Sequence, residues 1–180
     1  MKRLLLALSL LPAAAFCGGS AKSSMPVGYL KVSVSPDDAA LYVDGHYWGP
    51  ASHYGSSRKY LMTPGTHQVA LMDPRCETST STVTIESGKT AHLSENLARK
   101  PDPKPPYADL KVEFHGEKFA AVMLNGEYVG YIDQFNGAGQ DLQVSPGTYQ
   151  VRIDVAGGQS LLWQEVTLVA GKTTTVRWDF

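Results

Sequence analysis

Apolar and polar residues alternate with a period of two along most of the chain. Leu30, Val32 and Val34 alternate with Lys31 and Ser33, and Leu110, Val112 and Phe114 with Lys111 and Glu113. Tyr149, Val151, Ile153 and Val155 alternate with Gln150, Arg152 and Asp154, and Val176, Trp178 and Phe180 with Arg177 and Asp179. Such runs are strands with one buried and one wet face. Asp44-Gly45 and Asn125-Gly126 follow apolar runs and precede aromatic residues; these pairs tolerate the positive φ angles of a two-residue hairpin. Pro64-Gly65 and Pro146-Gly147 predict type II turns, and Gly88 and Gly171 a last hairpin in each half. Beyond an N-terminal leader no stretch carries a helical period, so the chain reads as all-β.

The same signals recur in the same order. Leu30-Lys31-Val32 returns as Leu110-Lys111-Val112, Val43-Asp44-Gly45 as Leu124-Asn125-Gly126, Pro64-Gly65-Thr66-His67-Gln68-Val69 as Pro146-Gly147-Thr148-Tyr149-Gln150-Val151, and Gly88-Lys89-Thr90 as Gly171-Lys172-Thr173. The offset creeps from 80 to 83, as expected when loops drift while strands and turns persist. The prediction is two small antiparallel β-sandwiches in tandem, residues 28–97 and 107–180, each of six or seven strands. Residues 98–106, Ala-Arg-Lys-Pro-Asp-Pro-Lys-Pro-Pro, cannot form helix or sheet interior. They predict an extended, semi-rigid spacer that holds the modules apart.

Charge removes one class of function. Of 180 residues, 16 are Lys or Arg and 17 Asp or Glu, for a net charge of −1. Both modules are mildly acidic, and the basic excess lies in the leader and in Arg99, Lys100 and Lys104. No basic face exists for a phosphate backbone, so nucleic acid is not an expected partner. Residues 1–15 carry Lys2 and Arg3, an apolar run and Ala13-Ala14-Ala15, the anatomy of a secretory signal, followed by a tether over 16–27. Later stretches fall short of the roughly 20 apolar residues of a transmembrane helix. The expected location is therefore outside the cytoplasm: periplasm, cell surface or extracellular space. Cys17-Gly18-Gly19-Ser20 reads as the start of a lipoprotein tether, although Phe16 departs from the small residue that normally precedes the lipidated cysteine. Lipidation of Cys17 with membrane anchoring, a Cys17–Cys76 disulfide, and loss of Cys17 with the signal all remain open.

The residues that carry the repeat resemble the PEGA domain. In the first copy these are Leu30 to Val34, Pro36-Asp37-Asp38-Ala39 in the place of the Pro-Glu-Gly-Ala stretch, Ala40 to Gly45, Gly49-Pro50, Pro64 to Val69 and Val83 to Thr90. The second copy diverges, with His115-Gly116-Glu117-Lys118 at the name motif. The resemblance implies an immunoglobulin- or prealbumin-like sandwich, an extracytoplasmic binding or structural role and no catalytic residues.

The densest unusual cluster is His46 to Tyr60, a hairpin arm running into a loop. Tyr47, Trp48, His53, Tyr54 and Arg58, with Tyr128 and Tyr131 from the second copy, are the candidate binding residues, because aromatics with polar tips suit protein contacts and sugar stacking. The alternative for the same rings is packing within a small sandwich. His67 is expected to pack partly buried. No nucleophile elbow, metal-ligand spacing or phosphate loop occurs, so no catalytic residue, metal or cofactor is expected. The expectation is a non-enzymatic envelope protein in structural, adhesion or assembly contacts with an envelope or surface protein, including self-association through strand edges. A surface-polysaccharide or peptidoglycan binder using the loop aromatics is the alternative.

Overall fold

The computed structural model describes residues 26–54, 58–101, 104–135, 139–157 and 159–178. Residues 1–25, Cys17 among them, and the last two residues lie outside them, and with them the expected signal, most of the expected tether and the fates expected of Cys17. The chain is all-β, in two units. The first holds β1 (Gly28–Ser35), β2 (Ala40–Val43), β3 (His46–Pro50), β4 (Tyr60–Met62), β5 (Gly65–Met72), β6 (Ser79–Ile85) and β7 (Thr90–Asn96). The second holds β8 (Ala108–Phe114), β9 (Ala121–Leu124), β10 (Glu127–Tyr131), β11 (Leu142–Val144), β12 (Gly147–Val155), β13 (Gln159–Leu168) and β14 (Thr173–Trp178). Short 3-10 turns follow β3 and β10.

Each unit stacks a three-stranded sheet on a four-stranded one, and the order repeats: β4-β1-β7 over β3-β2-β5-β6, then β11-β8-β14 over β10-β9-β12-β13. Leu30, Val32, Leu41, Val43, Val69, Leu71 and Ile85 fill the first core. Leu110, Val112, Val122, Leu124, Val151, Ile153 and Val176 fill the second. The hairpins lie where the sequence places them: Asp44 and Gly45 sit at φ 50° and 79°, Asn125 and Gly126 at 51° and 84°, the paired left-handed angles of a type I′ turn.

Three expectations are corrected. Pairing is not wholly antiparallel, because β7 lies parallel to β1 and β14 parallel to β8. The turns at Gly88 and Gly171 are accordingly not hairpins: they carry the chain from the four-stranded sheet to the free side of β1 or β8 in the other. The Pro-Gly pairs do not make type II turns either, since Gly65 stands at φ 145° and Gly147 is not at positive φ, whereas that turn needs about +80°. Both glycines open a strand that has just changed sheets.

The third correction concerns the spacer. Its first residues are paired to the first module: Cys76 bridges Arg99, the Glu77 N–H donates to the Ala98 carbonyl at 2.8 Å, and the Lys100 N–H to the Arg75 carbonyl at 2.7 Å. The two four-stranded sheets pack outer face to outer face. Ala40, Tyr42 and Tyr47 meet Ala121, Met123 and Tyr128 in one buried cluster, and the pairs 40/121, 42/123 and 47/128 share an offset of 81, so the same patch of each copy meets its counterpart. The Tyr42 hydroxyl donates to Asp154 Oδ2 at 3.1 Å and approaches Met123 Sδ at 3.2 Å. The Tyr47 hydroxyl donates to the Phe119 carbonyl at 2.7 Å. Asp154, 5% exposed, is also held by Arg152 through Nε–Oδ1 at 2.8 Å and a second guanidinium nitrogen at 2.9 Å. β2 and β9 are thus buried on both faces, the setting that favours an unbroken apolar run over alternation.

Truncating Tyr47 to alanine empties the middle of this contact and is expected to cost about 3 kcal/mol or more. Tyr42→Phe, which removes one hydrogen bond to a buried carboxylate, is expected to cost about 1.5–3 kcal/mol. Urea unfolding of the full chain checks both, and a Tyr47→Ala curve that overlays the parent would contradict the packing described.

Candidate functional site

Where β3 and β4 close one side of the first sandwich, and β10 and β11 the same side of the second, each module leaves a cleft. The strands that border it are the edges of their sheets, so it runs between two rows of backbone groups with no ladder partner on that side. In the first module the cleft is about 260 Å³ and is lined by Val43, Asp44, His46, Trp48, Leu61, Met62, Thr63 and His67. In the second it is about 610 Å³. Eight of its lining residues occupy the equivalent positions: Leu124, Asn125, Glu127, Val129, Gln143, Val144, Ser145 and Tyr149.

A bulge in the edge strand aims one residue of each copy into this space. β3 pairs Leu41 with Gly49 but Tyr42 with Tyr47, leaving Trp48 as the extra residue. β10 pairs Val122 with Gly130 but Met123 with Tyr128, leaving Val129. Gly49 and Gly130 carry the required backbone angles, φ 114° and 140°, and bulges of this kind re-aim side chains beside functional sites.

The cleft floors are held by matching hydrogen bonds. Asp44 Oδ1 accepts from the Gln68 N–H at 2.9 Å, as Asn125 Oδ1 does from Gln150 at 2.8 Å. The Tyr149 hydroxyl donates to the Ser145 carbonyl at 2.8 Å, where His67 Nε2 faces the Thr63 carbonyl at 2.9 Å. His67 Nδ1 also faces Asp44 Oδ2 at 2.7 Å. A carbonyl and a carboxylate can only accept, so both contacts are hydrogen bonds together in the imidazolium form of His67. The hydrogen bond to Asp44 raises the histidine pKa, and the same bond lowers that of Asp44.

The second cleft is larger because the first module walls it. Pro74, Arg75, Lys100 and Pro101 form one side. Burial alone would raise the Asp73 carboxyl; hydrogen bonds from the Arg75 side chain and backbone overcome it and hold the group below the usual range. Arg75 donates to Asp73 at 2.8 Å and reaches Asp38 at 3.2 Å, which fixes the loop against the β1–β2 turn. Cys76 is buried with a free thiol, pushed up by burial and then by Asp73, so the reactive thiolate is disfavoured.

The sequence-predicted binding residues disperse. Tyr47 and Tyr128 are 1% and 6% exposed, between the modules, and present no platform to a ligand, because a ring that glues two sheets has no free face. His53 and Tyr131 flank Phe119, with ring centroids at 4.3 and 5.6 Å, and serve the same contact between modules. Trp48 leans on Tyr60 at 5.3 Å and lines the first cleft. Arg58 is exposed; the Tyr54 side chain lies outside the described residues. The sequence reading missed the clefts, whose signal is a glycine one residue after a bulky side chain in an edge strand, Trp48-Gly49 and Val129-Gly130. It also missed Trp163, 70% exposed on the free edge strand β13. No group of three or more His, Cys, Asp or Glu gathers to hold a metal among the described residues.

Residues 27–101 match the PEGA domain. The match begins one residue before β1 and runs past β7 to Pro101, so the matched stretch takes in the Ala98-Arg99-Lys100 pairing and one wall of the second cleft. No curated protein matches the chain. Among solved structures, the Bacillus anthracis TIE protein is similar at 14% identity over 84% of this chain and 34% of its own, with a TM-score of 0.33. The Bacteroides ovatus mixed-linkage glucan utilization locus SGBP-B, in complex with a mixed-linkage heptasaccharide, is similar at 13% identity over 92% and 46%, with a TM-score of 0.20. The chain thus spans between a third and half of the length of these neighbours.

The His67–Asp44 pair predicts a pH window. His67, with its pKa raised, contributes stability that is complete below about 6.5 and lost as pH rises through its folded value; Asp44, with its pKa lowered, contributes stability present above about 3.9 and lost as pH falls through its folded value. The pair is therefore expected to stabilise most between about pH 4 and 6.5. NMR titration of the His67 ring should show a pKa above 6.5 that returns toward it in Asp44→Asn; an unchanged titration in that variant would contradict the pairing.

Proposed function

We propose that the chain is an exported, non-enzymatic protein of the cell envelope whose two β-sandwich modules make structural, adhesion or assembly contacts with protein partners. One observation carries the reading: a cleft between free strand edges, repeated at equivalent residues in both modules and lined by side chains suited to contact. The PEGA match over residues 27–101 supports a binding module. The second module, with the same strand order, is read as a divergent copy of the same domain. Export rests on the leader at residues 1–15; no helix among the described residues is long and apolar enough to cross a membrane.

Fractionation of cells that make the native chain, with intact mass of its N-terminus, tests this. The expected product is extracytoplasmic and shortened at or near Ala15, or carries lipid on Cys17. A full-length chain in the cytosol would contradict the proposal.

Carbohydrate binding is a second reading, and Trp163 is the observation that favours it, since an exposed indole on a free edge strand is a stacking surface for a sugar ring. Retention on insoluble peptidoglycan or β-glucan should then fall at least about fivefold in Trp163→Ala, a loss of about 1 kcal/mol. Equal retention removes the platform.

A further inference from the structure

We propose that the cleft walled by both modules binds an extended peptide strand of alternating apolar and polar residues that carries a carboxylate beside Lys100. This deepens the binding-module reading and rests on it. The volume, about 610 Å³, falls within the roughly 300–1,000 Å³ of ligand pockets. Its floor is apolar: Leu124 is buried, and Val129, Leu142, Val144 and Tyr149 are partly buried against the second core. β10 and β11 border it as unpaired edges of two different sheets. Backbone groups along an edge with apolar pockets between them are what an added strand uses, main-chain hydrogen bonds giving affinity and alternate side chains specificity.

The occupant's chemistry follows from the walls. The cleft continues the contact between the modules, since Pro74, Arg75, Lys100 and Pro101 come from the matched stretch and the remainder from the second module. The Arg75 guanidinium is already answered by Asp73 and Asp38, whereas Lys100 makes no ion pair among the described residues, so it is the cation left for a ligand, with Glu127 as the carboxylate on the β10 side of the same lining. Both modules are acidic elsewhere, which makes a basic wall at this point selective for a carboxylate. A glycan fits less well: Tyr149 is partly buried, its hydroxyl is bound to the Ser145 carbonyl at 2.8 Å, and no aromatic ring lies flat and exposed along the walls. The first cleft has the same frame at about 260 Å³ but lacks the second wall.

Fluorescence polarisation with the full chain tests this, using a labelled octapeptide of alternating threonine and valine ending in two glutamates, a counterpart ending in two lysines, and an unlabelled β-1,4-linked gluco-oligosaccharide as competitor. The glutamate peptide is expected to bind in the micromolar range, and the lysine peptide about tenfold more weakly. Lys100→Glu and Gln143→Glu, both outside the cores, are each expected to weaken the glutamate peptide about tenfold, and Leu61→Glu in the first cleft to leave it unchanged. No saturation below about 1 mM, equal binding of the two peptides, no effect of Gln143→Glu, or displacement by the oligosaccharide would each overturn the proposal. Failure here with the chain found in the envelope overturns this cleft alone; a cytosolic full-length chain overturns the broader reading and leaves the assay unaffected.

Discussion

The structure depends on burying both faces of two short strands. β2 and β9 each turn one pair of side chains into their own core and the other pair toward the opposite module, Ala40 and Tyr42 against Ala121 and Met123. A sandwich of this size buries a modest core on its own, so a second buried face shared between copies adds to both. The polar atoms taken into that contact are matched, with Tyr42 on Asp154, Arg152 on Asp154 and Tyr47 on the Phe119 carbonyl. An unmatched carboxylate there would cost several kcal/mol. The contact therefore fixes orientation as well as proximity, and the cleft with a wall from each module exists only because the orientation is fixed.

Much of the fold was legible. The alternation of β1, β8 and β12 and the Asp-Gly and Asn-Gly turns depend on local chemistry, and the chain adopts them where that chemistry points. Strand direction was not legible, because a period of two describes which face is buried and is silent on whether the neighbour runs parallel. The unbroken apolar runs Ala39 to Val43 and Ala120 to Leu124 did carry the signal that both faces of those strands are covered. Reading the adjoining tyrosines as surface ligands overlooked it. The spacer misled in a related way: proline density excludes helix, but does not exclude the three preceding residues from pairing with the loop around Cys76.

The clefts show how one frame takes two chemistries. In the first, Asp44 and His67 form an ion pair beneath Trp48; in the second, Asn125 and Tyr149 keep the same hydrogen-bond positions without charge. Bulges at Trp48 and Val129 point a large aromatic into one and a small aliphatic residue into the other. With the tryptophan replaced by valine and a wall added by Arg75 and Lys100, the second cleft is the roomier. Duplication thus retained the frame while the lining diverged, which is how a pair of related modules comes to hold different contacts.

The central claim is that the two sandwiches are one body. Residual dipolar couplings measured on the full chain in a single alignment medium test it most directly. Amides of β1, β2 and β5 and those of β8, β9 and β12 should fit one alignment tensor in the orientation set by the Tyr42–Asp154 contact. Two tensors of clearly different magnitude, one for each module, would contradict the account.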